Sequence, residues 1–84
     1  MKITITSEYG IDLLKAVKAE QQAVLLKSKA NLQILLSNAV GIGEHTDLVS
    51  DVKGYVAEIS HAEDNIKVIN NLLIGETQPS LLSG

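Results

Sequence analysis

Eighty-four residues make one domain at most, and a chain this short buries too little surface to be robust without a staple. It has no cysteine, which excludes disulfides, thiolate metal sites and cysteine nucleophiles and leaves self-association as the expected staple. The 45% hydrophobic content is Leu, Ile, Val and Ala with no Phe or Trp, a vocabulary suited to helix-on-helix packing rather than to aromatic ligand pockets, and the net charge of −3 includes no Arg, which argues against phosphate and base-edge recognition.

Residues 1–6 alternate, with Ile3 and Ile5 on one side and Lys2, Thr4 and Thr6 on the other. That is the signal of a short strand or extended arm. A lone strand needs a partner. Pairing with a second copy and packing against the helices of the same chain are both open. The segment is too short and polar for a signal peptide, and no apolar run reaches the roughly 18 residues of a membrane span.

The first helix is expected over residues 11–39, with Ser7 able to cap an earlier start and Gly10 weakening its first turn. At 100° per residue, Leu14, Val17, Gln21, Val24, Leu25, Ser28, Leu32, Leu35, Leu36 and Ala39 fall on one broad face. Ala16, Ala19, Ala23, Ala30 and Ile34 form a second, opposite stripe. Alanine is a good helix former wherever it sits. Small residues also admit another helix closely, and one hairpin offers this helix only one partner. These five residues, with Ile3 and Ile5 of the arm, are therefore the candidate interface between subunits.

Residues 40–46 form the break. Gly41 is placed to end the first helix and Gly43 to reverse the chain, while Thr46 is a natural N-cap with Asp47 in the following turn. Glu44 and His45 add polar groups there, as turn residues or as part of a site. One His with two carboxylates is a poor metal or acid–base set, and Gly41-Ile42-Gly43 lacks the following Lys-Ser/Thr of a phosphate loop.

The second helix is expected over residues 47–74, with Leu48, Val52, Tyr55, Val56, Ile59, Ala62, Ile66, Ile69 and Leu73 as its apolar stripe and Gly75 ending it; residues 75–84 read as a tail. Residues 11–40 carry a net +2 and residues 44–76 a net −5, so the two helices are electrostatically complementary. Glu58 and His61 have the Glu-x-x-His spacing of di-iron bundles. Glu58 lies at the edge of the stripe and His61 nearly opposite its centre, which fits a solvated helix face better than a metal core. Gln21, Ser28, Asn31, Glu63 and Asn70 lie on or beside the stripes, either partly exposed or bonded to one another, or else buried and fixing register at some cost in stability.

The text around the break, Asn38-Ala39-Val40-Gly41-Ile42-Gly43-Glu44-His45-Thr46-Asp47, followed by an amphipathic helix reaching Ala62-Glu63-Asp64-Asn65-Ile66-Lys67-Val68-Ile69, resembles small proteins of T4-type myoviruses, notably those of marine cyanophages. The likeness spans roughly residues 31–73 and rests mainly on the turn. It implies a phage origin and a helical hairpin but no activity. A fainter similarity, in Ala39-Val40-Gly41-Ile42 and the helix after it, is to the small tail-fibre assembly chaperone of T4-type phages, whose pattern lacks the Glu44-His45 pair.

The expected protein is thus all-α: a long antiparallel two-helix hairpin with a short N-terminal extended segment, assembling into a four-helix bundle or larger homo-oligomer. The expected role is non-enzymatic, a phage accessory, structural or assembly factor in the host cytoplasm. Its partners would be itself and another phage or host protein, with no cofactor, metal, nucleic acid or membrane. The alternative is a small-ligand sequestering protein with pockets between subunits, near Tyr9 and the lysines of the first helix.

Overall fold

Two helices lie against each other in the computed structural model: α1, Glu8–Asn38, and α2, Leu48–Thr77. The structure describes residues 4–5, 7–38 and 47–77, with side chains of α2 as far as residue 74. The expected turn at 40–46, including Gly41, Gly43, Glu44 and His45, lies outside the described residues, as do Ile3 and most of the tail. Among the described residues there is no strand.

Each helix begins at a side-chain cap. Ser7 Oγ accepts from the Gly10 N–H at 3.2 Å, and Asp47 Oδ1 accepts from the Ser50 N–H at 3.0 Å. In both cases the bonded N–H lies three residues on, the reach of an N-cap side chain. The cap of α2 is therefore Asp47 and not Thr46, and a carboxylate there also meets the positive end of the helix. α1 starts three residues before the expected Ile11, and α2 runs three residues past the expected Ile74, through Gly75. The Ser7 cap sets the earlier start of α1. One glycine, costing about 1 kcal/mol relative to alanine, is not enough to end α2.

The less exposed side chains follow a seven-residue repeat. In α1 they include Ile11, Leu14, Lys18, Gln21, Leu25, Ser28, Leu32 and Leu35; in α2, Leu48, Val52, Tyr55, Ile59, Ala62, Ile66, Ile69 and Leu73. Both series alternate steps of three and four, the spacing of an a/d coiled-coil seam. This narrows the broad face expected for α1: Val17, Val24 and Leu36 are exposed, and Ile11 and Lys18 take seam positions. In α2 the expected stripe is the seam, except that Val56 is exposed.

Polar bridges fix how the helices slide past each other. Ser28 Oγ donates to Glu58 Oε1 at 2.7 Å, and Asn65 Nδ2 donates to Gln21 Oε1 at 2.9 Å. Both pairs are symmetric about position 43, so they report one register along the hairpin. Lys29 and Glu63 approach to 3.7 Å on one exposed flank. Gln21 and Ser28 thus bond not within the set of polar groups expected to pair but to Asn65 and Glu58 on the facing helix.

Candidate interaction surface

A single helix-to-helix seam leaves most of each helix uncovered. Among the described residues only Ile5, Ala62 and Ile69 are buried apolar side chains. The molecule measures 56 × 25 × 17 Å and exposes 6374 Å². A compact monomer of 9.0 kDa would expose about 4,900 Å².

The uncovered apolar groups are ordered along the helices. On α1, Leu13, Val17, Val24 and Ile34 are exposed, Leu13 at 67% and Ile34 at 61%. Ala16, Ala23 and Ala30, seven residues apart, are exposed between them. Leu13, Glu20, Lys27 and Ile34 share one heptad position, with the alanines on one side of that line and Val17, Val24 and Asn31 on the other. Ala19 falls off this face, on the row of Leu26 and Gln33. Of the candidate interface residues, Ala16, Ala23, Ala30 and Ile34 therefore lie on one outward face. Ile5 does not join them. It is buried at the start of α1, where its Cγ2 would lie 2.9 Å from a Cβ added at Gly10.

Among the described residues, three shallow depressions stand out along the hairpin. One, of about 600 Å³, runs between the helices beside Gly54 and has a mixed lining, Ile34 and Leu35 with Asn31, Asn38, Ser50, Asp51, Tyr55 and Glu58. A second, of about 590 Å³, is a mainly apolar patch of α2 lined by Leu48, Val49, Val52, Lys53, Val56 and Ala57, with Ser60 at its edge. The third, of about 360 Å³, lies on the Lys29 flank with Leu36 and Ile59.

Glu58 and His61 do not converge. Glu58 accepts the Ser28 hydroxyl hydrogen bond across the seam, and His61 is exposed. Among the described residues no three His, Asp or Glu side chains are grouped to hold a metal ion. Tyr9 is 80% exposed, and Tyr55 is half-buried in the seam. No described helix is long and apolar enough to cross a membrane.

Sequence periodicity at 3.6 residues assigned Val17 and Val24 to the core and so missed half of the outer face of α1. The signal that finds them is the 3-4 alternation running unbroken from Ile11 to Leu35, which leaves no seam position for either valine. No protein-family model, curated protein or solved structure matches the chain.

Proposed function

We propose that this chain is a non-enzymatic, self-associating helical interaction protein, serving as an accessory or assembly factor of a phage in its host's cytoplasm. The observation that carries this reading is the uncovered face of α1, where exposed Leu13, Val17, Val24 and Ile34 flank Glu20 and Lys27. Large apolar groups gathered on one exposed face of a small chain mark a surface that binds protein. The side-chain polar groups that meet across the seam, Ser28 with Glu58 and Gln21 with Asn65, bridge helix to helix and set register, a structural use. The phage assignment rests on the likeness of the turn sequence. Partners are a second copy first, and then another phage or host protein.

The test is the solution mass by light scattering behind a sizing column. A multiple of 9.0 kDa is expected, and a monomer at tens of micromolar would overturn the self-association. The depression beside Gly54 supports a second reading, a small-ligand sequestering protein. Its volume falls in the range of ligand sites, but it is open, so a second subunit would have to close it. A ligand-dependent rise in Tm confined to the oligomer distinguishes that reading.

A further inference from the structure

The outer face of α1 is self-complementary. About a point between Ala23 and Val24, its middle row matches itself in size and is opposite to itself in charge when reversed: Leu13 then faces Ile34, and Glu20 faces Lys27. An antiparallel two-fold pair keeps each flank on its own side, so Ala16 meets Ala30, Ala23 meets its own copy, and Val17 meets Asn31. We infer that α1 packs antiparallel on α1 of a second copy across a two-fold axis at this point. The inference rests on the self-association proposed above and gives it a geometry.

Each element of that pairing has a physical basis. A two-fold interface brings one patch onto its own copy, so the patch must complement itself under reversal. Glu20 and Lys27 are exposed, and neither has an ion-pair partner among the described residues. In the antiparallel dimer each meets the opposite charge, and symmetry forms the pair twice. In a parallel dimer Glu20 would face Glu20 and Lys27 would face Lys27, so the same two residues select against that arrangement. The alanines at 16, 23 and 30 meet the alanine row of the other copy, which lets the backbones approach closely on that side. Leu13 and Ile34 close the two ends with large apolar contacts. The apolar patch on α2 lacks this symmetry: Lys53 lines it without an acid.

Charge reversal tests the pairing. Glu20→Lys and Lys27→Glu each place like charges at both symmetric contacts, and each alone is expected to weaken dimerisation on the order of tenfold. An equimolar mixture of the two variants is expected to recover the dimer mass as a heterodimer, and the double variant E20K/K27E to recover the homodimer. Helix content by circular dichroism should be unchanged, since both sites are exposed. The chain has no cysteine, so a second measurement is clean. Ala16→Cys mixed with Ala30→Cys should form an oxidised cross-link, and neither alone should. The separation of residues 16 and 30 along a helix, roughly 21 Å, is beyond disulfide reach. An oligomer that ignores the charge swaps and links neither pair would overturn this pairing and leave self-association standing. Self-linking of either single-cysteine variant would place that residue beside its own copy and overturn the antiparallel register. A monomeric wild type would overturn both.

Discussion

Ser28 Oγ and Glu58 Oε1 meet at 2.7 Å across the middle of the hairpin, where Ser28 is only 1% exposed. Ala62, also 1% exposed, occupies the same region of α2, so the most buried stretch of the seam is built from small side chains. The hydroxyl has its acceptor on an exposed residue: Glu58 reaches in from the flank while its Cα stays outside the seam.

The two partners should respond unequally to truncation. Glu58→Ala leaves a buried hydroxyl without its acceptor and is expected to cost about 1–3 kcal/mol. Ser28→Ala frees a carboxylate that water can reach and adds a better helix former, so its cost should stay under about 1 kcal/mol. Ser28→Leu forces volume into the closest part of the seam and should cost about 1–3 kcal/mol. Urea denaturation of the three variants checks the order. A Ser28→Ala effect equal to that of Glu58→Ala would mean the bond is not shielded as the geometry indicates.

Gln21 stands at a seam position and bonds to Asn65 on the flank of the same layer. Gln21→Leu exchanges one neutral hydrogen bond for a buried aliphatic group, and Asn65, half-exposed, can return to water. The net gain expected is on the order of 1 kcal/mol. The same change removes one of the two bonds that define register, so the stabilised variant should show broader amide resonances along α1. A fall in the urea midpoint would show that Gln21 stabilises the pair rather than specifying it.

Gly54 sits inside α2, and a Cβ added there meets nothing within 4 Å. Gly54→Ala therefore brings only the helix-propensity gain, about 0.5–1 kcal/mol, and should raise Tm by several degrees. It also narrows the depression lined by Tyr55 and Asp51. If the gain in Tm is accompanied by loss of a ligand or partner, the glycine is kept for the open space beside it.

The hairpin itself was legible because two apolar segments of matched length flank a glycine-punctuated break, and α2 carries a nearly unbroken aliphatic seam from Leu48 to Leu73. The seam of α1 was only partly legible: spacing put Gln21 and Ser28 on the core face, but Lys18 was missed and Val17 and Val24 were added. Lysine can hold such a site because its stem is apolar. Serine and glutamine can because a partner on α2 satisfies them. None of this shows in the hydropathy of α1 alone, whereas Val17 and Val24, which carry strong hydropathy, lie outside the seam. The cap of α2 was displaced by one residue because Thr46 and Asp47 are both good caps by composition, and only the bond from Asp47 Oδ1 to the Ser50 N–H separates them.

That bond gives a direct test of where α2 begins. Asp47→Ala should destabilise by about 1 kcal/mol, combining a lost cap with a lost favourable charge at the helix start. Thr46→Ala should cost clearly less. Thermal melts of the two variants decide it, and a reversed order would return the cap to Thr46.

Gly10 and Ile5 make the most discriminating pair. Gly10 is in the first turn of α1, where alanine is favoured over glycine by up to about 1 kcal/mol. A Cβ there would sit 2.9 Å from Ile5 Cγ2, inside the shortest separation side chains tolerate. That methyl is fixed to a β-branched carbon and cannot swing aside without moving the arm. Gly10→Ala in the wild-type background should therefore displace Ile5 from its buried seat and be neutral or destabilising. With Ile5→Ala already in place, the obstruction is gone and the same substitution should stabilise by about 0.5–1 kcal/mol. The sign change is the signature of an arm that folds back on its own helix, as the burial of Ile5 indicates. If Gly10→Ala stabilises equally in both backgrounds, Ile5 does not occupy that seat in solution and is available to pair with another copy.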